Sequence, residues 1–290
     1  MPSAGTVASM WRYPVKSMLG EQIDASEVSA RGLAGDRAYA LRDVETGKVV
    51  SAKRPRFWGR MFELQAAYES QPSAQEPHQP VKITLPDGSE LTSTDPDVDR
   101  ALSDVLGRKV SMITSTEDVA MLEEVWIPEK QSEPYGPVVG AEGDDRLIEI
   151  PASIGAPPGT LFDYSAVHLV STGTLGMLAE VYPEGRFDAR RFRPNIVVEV
   201  PDKAFVENDW IGQTLAIGDE VRLEVIVPTP RCVMTTLPQS DLPKDPGILR
   251  TAARTNPQDF GPFAGQPCVG VYAEVVSGGT IRAGDEVGLI

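Results

Sequence analysis

The sequence predicts a mainly β protein with a few helices, an α+β fold built from two successive modules. Short apolar or alternating segments are separated by turn residues every ~8–12 positions, a spacing typical of a sandwich or barrel. Helical periodicity is confined to a few short stretches. With 290 residues, of which 41% are hydrophobic, the chain can form one large or two ordinary domains.

The N-terminal half contains a series of predicted strands with one helix among them. Asp95-Pro96 opens the helix, because Asp can cap it and Pro is favoured at its first position, and Gly107 ends it. The apolar stripe in between predicts a packing helix without a chemical role. The predicted strands span residues 6–11, 21–28, 38–41, 49–52, 64–68, 81–85 and 110–113.

Two short segments of this half carry basic residues. Pro14 imposes a turn that is expected to expose Lys16 and Ser17. A second basic run has two interpretations: a solvated hairpin edge, or a rim that faces an anion. That run consists of Lys53, Arg54, Arg56 and Arg60, interleaved with Phe57 and Trp58.

The composition changes in the middle of the chain. Residues 117–149 contain ten acidic side chains against Lys130 and Arg146 alone. Such a stretch buries little, so residues of about 127–158 are predicted to form an acidic Pro/Gly-rich excursion or lid. Its charge is interpreted as solvation, with docking of a basic redox partner as the alternative. The predicted domains are 1–118 and 119–290.

The second half begins with a buried strand that contains His168 and runs into Ser171-Thr172. Either hydroxyl can cap a following helix, whose free N–H groups would favour an anion. The alternative is an ordinary capped helix that binds nothing. His168 is interpreted as a hydrogen-bonded buried histidine rather than a ligand.

Four arginines fall within eight residues, from Arg186 to Arg193. Arg193 and Asn195 lie two apart in chain that is expected to be extended, so both would face the same side. A forked cation beside an amide suits a ligand with a phosphate and an amide- or pterin-like heterocycle. A salt-bridged, solvated strand end is the alternative.

The segment around Cys232 is the strongest candidate for chemistry. Pro228 and Pro230 are expected to stop the strand 221–227, because proline cannot continue a central ladder. Arg231 then places a permanent cation beside the thiol, and a cation favours the thiolate that binds metal or attacks. A small apolar cysteine in a loop is the alternative. A helix over 245–254, a Gly/Pro-rich loop over 260–268 and a core position for Cys268 are expected beyond it.

Composition excludes several classes of function. A net charge of −15 argues against nucleic acid and gives no support to adhesion to an anionic membrane surface. Two cysteines do not make a disulfide scaffold, and no run approaches the ~18 apolar residues of a membrane helix. The prediction is a cytoplasmic protein without a signal peptide. Two histidines exclude a three-histidine zinc site, and nucleotide-binding glycine motifs are absent from the sequence.

Seven motifs, in order and in both halves, carry a resemblance to a known family. The chain resembles the MOSC proteins, especially the two-part type that includes the mitochondrial amidoxime-reducing component and its bacterial relatives. The matching stretches are Tyr13-Pro-Val-Lys-Ser17, Gly35-Asp-Arg37, Asp163-Tyr-Ser165 with Leu169-Val-Ser171, Phe192-Arg-Pro-Asn-Ile-Val-Val198, Asp209-Trp210, Pro230-Arg-Cys232 with Thr235-Thr236, and Gly278-Gly-Thr-Ile-Arg-Ala-Gly-Asp285.

The resemblance implies a β-barrel-like N-terminal module packed on a MOSC β-barrel, with a pyranopterin molybdenum cofactor between them. Cys232 matches the position that ligates molybdenum in this family. The positions associated with holding the phosphate and the pterin match Lys16, Ser17, Arg37, Ser171, Thr172, Arg193, Asn195 and Arg231.

The leading hypothesis from the resemblance is an oxidoreductase that reduces amidoximes, hydroxylamines and N-hydroxylated bases. A separate reductase or haem protein would supply its electrons. The first alternative is a sulfur-carrier or cofactor-handling module with a persulfide on Cys232, although the chain contains no pyridoxal-phosphate module. The second alternative is a barrel that binds an anionic ligand without turnover.

Overall fold

The computed structural model describes residues 3–115, 120–126, 138–142, 145–151, 156–157 and 159–290. Its strands are β1 (Ser3–Arg12), β2 (Glu21–Ile23), β3 (Ala25–Ser29), β4 (Gly32–Leu33), β5 (Tyr39–Asp43), β6 (Gln65–Tyr68), β7 (Val81–Thr84), β8 (Glu90–Thr92), β9 (Val110–Thr114), β10 (Met121–Trp126), β11 (Val138–Glu142), β12 (Asp145–Pro151), β13 (Val167–Ser171), β14 (Ile196–Glu199), β15 (Thr214–Ile217), β16 (Val221–Pro230), β17 (Pro257–Phe260), β18 (Phe263–Ser277), β19 (Gly279–Arg282) and β20 (Glu286–Leu289).

Within the described residues, four α-helices and four short 3₁₀-helices accompany these strands. The helices are α1 (Pro55–Trp58), α2 (Val98–Leu106), α3 (Thr172–Val181) and α4 (Pro246–Thr255). The 3₁₀ turns are Gly59–Glu63, Ala189–Arg191, Val206–Trp210 and Val233–Thr236. The predicted mainly β fold with a few helices is confirmed.

Seven strands close into a barrel that organises the C-terminal half. Its order is β13-β14-β1-β20-β15-β16-β18, and β18 pairs with β13 to close it. Val221, Leu223 and Val225 of β16 are buried, while Arg222 and Glu224 between them are not, as the period of two in a strand requires. The inward-facing side chains of all seven strands form one apolar core.

The N-terminal half has its own core, in which α2 and small sheets pack together. The sheets are β5-β9 and β6-β7-β8, whereas the sheet β19-β3-β4, which includes a strand from the C-terminal half, packs on the barrel core through Val28, Leu33 and Ile281. Strand β1 pairs with β14 and β20 and therefore belongs to the C-terminal barrel. Each half therefore contributes a strand to a sheet of the other half: β1 pairs with strands of the C-terminal barrel, and β19 pairs with β3 of the N-terminal half. The boundary between residues 118 and 119 stays a prediction.

Several predicted elements need correction. The single strand expected over 21–28 is two strands, β2 and β3, which belong to different sheets. Residues 49–52 form isolated bridges at Val49 rather than a strand. Helix α2 begins at Val98 after Asp97, two residues later than predicted, and no side chain caps it. The loop expected over 260–268 is instead a hairpin between β17 and β18.

The prediction that two prolines stop the strand before Cys232 is wrong. Strand β16 continues to Pro230, with Pro228 opposite Val271 and Pro230 opposite Cys268. The register shifts between Val225 and Val227 and again between Pro228 and Pro230. At such a bulge a residue can lack a backbone N–H bond to the neighbouring strand. Proline, which has no backbone N–H, is therefore tolerated there. The strand therefore ends at Pro230, immediately before Arg231.

The acidic excursion predicted over 127–158 lies only partly within the described residues. Strands β11 and β12 fall inside it and form a three-stranded sheet with β10. Residues 127–137, 143–144, 152–155 and 158 lie outside the described part, as do 116–119 of the acidic stretch. Within the described part, no helix is long and apolar enough to cross a membrane.

Candidate functional site

Cys232 is separated from the end of β16 by Arg231 and precedes the 3₁₀ turn Val233–Thr236. Its carbonyl accepts bonds from Thr235, from the backbone N at 3.2 Å and from Oγ1 at 3.0 Å. The residue is partly exposed and is not in a disulfide. The turn therefore holds the thiol at the surface of the barrel end, while Cys268 on the neighbouring strand is buried, as predicted.

The Arg231 guanidinium is fixed beside this thiol by acceptors of the barrel. Nε lies 2.9 Å from the Val269 carbonyl and Nη1 lies 2.9 Å from the Phe192 carbonyl. Nη2 donates to Nε2 of His168. Burial, and then the Arg231 charge, hold the pKa of His168 well below its usual range. A neutral imidazole can accept this bond, so His168 supports the arginine, in agreement with its interpretation as a hydrogen-bonded buried residue.

Arg193 is buried over the ring of Tyr13. Its φ of 55° lies in the left-handed region, so the expected extended chain at this position is wrong. Nη1 donates to the Met18 carbonyl at 2.7 Å, and the guanidinium carbon is 4.1 Å from the Tyr13 ring centroid. Burial, and then Arg37, lower the pKa of Arg193 to about 10. Arg193 therefore remains charged at neutral pH.

Asp36 connects the two chain segments that meet at this point. Its Oδ1 accepts from the Tyr13 backbone N at 2.7 Å, and its Oδ2 accepts from Nδ2 of Asn195 at 2.8 Å. The same carboxylate pairs with Arg37. Because Oδ1 of Asn195 accepts from the His168 backbone N at 3.1 Å, the amide is engaged on both sides within the protein. Asn195 thus positions its neighbours here.

Lys16 and Ser17 are buried, which corrects the prediction that their turn exposes them. The turn folds under the chain because the Lys16 backbone N bonds to the Tyr39 carbonyl, and Ser17 adopts a φ of 67°. Nζ of Lys16 donates to the Leu161 carbonyl at 2.7 Å and to Oδ1 of Asp163 at 2.5 Å. Burial would raise the pKa of Asp163, but Lys16 and Lys53 outweigh it and hold that pKa far below its usual range.

The basic run after residue 52 divides between two environments. Lys53 lies 3.6 Å from Oδ2 of Asp163 and joins Lys16 there. Arg54 pairs with Glu123, and Arg60 forms an exposed pair with Glu63. The interpretation of this run as an anion-facing rim stays a prediction, because Lys53, Arg54 and Arg60 each lie beside a carboxylate of the protein.

Ser171 and Thr172 lie apart from this group, at the start of α3. The predicted cap is present, since Ser171 Oγ accepts from the Thr174 backbone N at 3.0 Å. The Ser171 hydroxyl in turn donates to Oε2 of Glu207 at 2.5 Å, while Thr172 Oγ1 accepts from the Val200 backbone N at 3.1 Å. A buried carboxylate of the protein thus holds the helix start where an anion was expected, and burial raises the pKa of Glu207.

Sequence reasoning missed two carboxylates of the main cluster and the tyrosine beneath its arginines. These residues are Tyr13, Asp36 and Asp163, each adjacent to a predicted basic residue or at the start of a quoted motif. The sequence signal that could have identified these three residues was an acidic or aromatic residue beside a predicted basic residue or at the start of a motif. Glu207 gave no comparable signal, because its partner Ser171 is 36 residues away.

The cluster around Tyr13 has more positive than negative charge. Electrostatic effects link four cations, Lys16, Arg37, Lys53 and Arg193, to the carboxylates Asp36 and Asp163. Arg231 and the carboxylate of Asp188 also act on Tyr13, so the cluster has five cations and three carboxylates. The Tyr13 hydroxyl and Nη2 of Arg193 are buried without a hydrogen-bond partner among the described residues. A surplus of cations and unused donors in a protein of net charge −15 fits an anionic ligand.

The donor set also restricts how a metal can be held. Among the described residues, no group of three or more His, Cys, Asp or Glu side chains is placed to bind a metal ion. A metal at Cys232 would thus need most of its ligands from a cofactor, and thiolate suits a soft transition metal. The site therefore fits a metal that arrives within an anionic organic cofactor.

Family models match both halves of the chain. The MOSC domain matches residues 157–288, and the MOSC N-terminal beta barrel domain matches residues 4–126. The chain is a MOSC-domain protein with the N-terminal module of that family. The matched ranges contain the cation cluster and Cys232, so this cluster lies where the two MOSC modules meet.

The similar proteins include amidoxime-reducing components over the whole chain. Mitochondrial amidoxime-reducing component 1 of Homo sapiens is 26% identical and covers 100% of this chain and 84% of its own. Mitochondrial amidoxime reducing component 2 of Bos taurus is also 26% identical, covering 99% and 84%. The solved YUAD protein of Bacillus subtilis covers 98% of this chain and 94% of its own, with 13% identity and a TM-score of 0.44.

Proposed function

We propose that this MOSC protein is a molybdenum-cofactor-dependent oxidoreductase that reduces N-hydroxylated compounds such as amidoximes, hydroxylamines and N-hydroxylated bases. The observation that carries the proposal is the partly exposed Cys232 thiol beside Arg231, next to a cluster of cations with unused donors. The names of the similar amidoxime-reducing components support the substrate class.

The residues of the chain divide into three roles. Cys232 is the metal ligand, because its thiolate suits molybdenum and it is the partly exposed one of the two cysteines. Lys16, Arg37, Arg193 and Arg231 neutralise the anionic parts of the cofactor. Ser17 and Asn195 accept hydrogen bonds from the backbone N of Ala52 and of His168, and so position the chain around these cations. Ser171 and Thr172 remain predicted cofactor-binding residues, with Glu207 as the present partner of Ser171 and the Val200 backbone as that of Thr172.

When bound, the molybdenum cofactor supplies two electrons, so that an N–OH group and two protons give N–H and water. The protein orients the cofactor and leaves the exposed side of Cys232 accessible to a small substrate. The electrons come from a separate reductase or haem protein. Location in the cytoplasm stays a prediction.

Reduction of benzamidoxime by protein expressed in a cofactor-competent host tests this function, with a chemically reduced viologen as electron source. We expect the amidine as product, and we expect Cys232→Ala to lower the rate to background. Cys268→Ala is the matched control, because Cys268 is buried and a substrate cannot reach it. Full activity of Cys232→Ala would contradict the proposal.

The same preparation separates the alternative functions. Sulfur that cyanide releases from Cys232, in protein without molybdenum, would support the sulfur-carrier module. Protein that binds an anionic ligand but contains neither labile sulfur nor metal would support a binding module without turnover.

A further inference from the structure

Two buried donors without partners belong to a pair of stacked side chains in the cation cluster. No described residue bonds to the Tyr13 hydroxyl or to Nη2 of Arg193. The Arg193 guanidinium carbon lies 4.1 Å from the Tyr13 ring centroid, so both donors belong to one place in the fold. Buried polar groups almost always have partners, because leaving such a bond unmade destabilises the fold. Two unused donors on stacked side chains indicate an acceptor that binds from outside.

The charges around Tyr13 indicate that this acceptor is an anion. The Arg37 guanidinium carbon lies 4.9 Å from the same ring, and Arg231 is within electrostatic reach of Tyr13. Two carboxylates also act on Tyr13, and both already have partners: Asp36 accepts from the Tyr13 backbone N and Asn195 and pairs with Arg37, and Asp188 pairs with Arg190. Burial raises the pKa of Tyr13, so its hydroxyl keeps its proton and acts as a donor at neutral pH.

We propose that Tyr13 and Arg193 together bind an oxyanion of the phosphate type, with the Tyr13 hydroxyl and Nη2 of Arg193 as its donors. Tyr13 is thereby a ligand-binding residue in addition to those that the family resemblance implies. The inference rests on the proposed function, because the phosphate of the pterin cofactor is the group that would bring this oxyanion.

The substitution Tyr13→Phe tests the donor alone, because it keeps the ring under the guanidinium groups and removes one oxygen. The experiment uses the full chain from a host that makes no molybdenum cofactor, with inorganic phosphate as the probe. Calorimetry should find phosphate binding weakened about tenfold, as expected for the loss of one hydrogen bond to an anion. The Tm without phosphate should stay the same or rise, because the variant lacks a buried hydroxyl that has no partner.

Tyr68→Phe is the matched control. The Tyr68 hydroxyl lies 2.9 Å from the Gly35 carbonyl and 2.8 Å from the Pro77 carbonyl, and its ring lies 4.7 Å from the Arg12 guanidinium carbon. This tyrosine has the same cationic stacking but a satisfied hydroxyl. Its variant should therefore lower Tm without phosphate and leave phosphate affinity unchanged.

Two outcomes would overturn the inference. One is a Tyr13→Phe protein that behaves like Tyr68→Phe, with lower Tm and unchanged phosphate affinity, which would make Tyr13 a structural residue. The other is a native chain that binds no phosphate.

Molybdenum and pterin content, measured on protein from a cofactor-competent host, separates this inference from the proposed function. Native protein without either, combined with weaker phosphate binding by Tyr13→Phe, would leave the oxyanion site standing and refute the function. Loaded native protein, combined with equal phosphate affinity of Tyr13→Phe, would refute the inference alone.

Discussion

Lys16 and Asp163 form an ion pair with 2.5 Å between Nζ and Oδ1, although they are 147 residues apart in the sequence. The pair joins the N-terminal module to the segment that precedes β13. The Lys16 side chain is only 5% exposed, whereas that of Asp163 is 36% exposed. The buried ammonium therefore depends on a carboxylate at the edge of the solvent, and this contact holds the two modules together at the candidate site.

Replacing that carboxylate should destabilise the protein. We expect Asp163→Asn to lower the free energy of unfolding by about 2 kcal/mol, because the buried Lys16 amine, whose pKa burial already lowers, would lose the carboxylate that favours its charged form. The pKa of Asp163 is depressed in the folded state, so its stabilisation exists above pH ~4 and is lost as the pH falls further. Urea titrations of both proteins across this range measure the effect.

An exposed ion pair provides the control for this variant. Glu180 pairs with Lys203 at 2.5 Å, with both side chains more than half exposed. Glu180→Gln should change the unfolding free energy by less than about 0.5 kcal/mol. Equal effects of Glu180→Gln and Asp163→Asn would show that the buried position of Lys16 is unimportant.

The buried carboxylate at the start of α3 predicts a pH dependence of the opposite sign. The folded-state pKa of Glu207 is raised, chiefly by burial, so the folded chain keeps a proton that the unfolded chain has lost. The stabilisation is complete below about pH 4.3 and is lost as the pH rises through the folded-state pKa. Glu207→Gln should remove this decline, by up to about 1.4 kcal/mol per pH unit within the window.

Denaturant titrations between pH 4 and pH 8 measure this slope for the native protein, Glu207→Gln and Glu180→Gln. Glu180 is exposed, so its variant should retain the native slope. A Glu207→Gln protein with the native slope would mean that another group causes the decline.

The two cysteines should react differently with alkylating reagents. Cys268 is buried, and burial raises its pKa to about 11, so it is neither accessible nor ionised at pH 8. Cys232 is partly exposed. Mass spectrometry after iodoacetamide treatment should find one modified residue, Cys232, in the native chain and two after denaturation. Labelling of native Cys268 would contradict the described packing.

The sequence predicts most of the barrel strands because their period of two reflects burial on one face. It also predicts the Ser171 cap, since a hydroxyl before an apolar helical stripe satisfies a free N–H of the first turn. Both are local properties. The end of β16 was predicted incorrectly because the rule that proline stops a strand considers the proline-containing segment alone. The bulges that accommodate the prolines depend on the pairing of β16 with β18, in which Pro228 lies opposite Val271 and Pro230 opposite Cys268.

The candidate site was predictable only in part for the same reason. Arg231 and Cys232 are adjacent in the sequence, so their proximity required no fold. The partners of Lys16 and Ser171 are Asp163 and Glu207, and neither spacing nor charge pattern indicates which distant carboxylate approaches. Asp163 supplies the charge that a buried lysine needs, and Glu207 fills a helix start for which the sequence allowed either an anion or no ligand.

The central claim is that Cys232 binds molybdenum in a pterin cofactor held by the cations around Tyr13. Its most direct test is the molybdenum and oxidised-pterin content per chain, measured for the native protein, Cys232→Ala and Cys268→Ala from a cofactor-competent host. We predict about one molybdenum and one pterin per chain in the native protein and in Cys268→Ala, because Cys268 is a core residue. Cys232→Ala should lose the metal while its Tm stays close to native. Full molybdenum content in Cys232→Ala, or none in the native protein, would contradict the claim.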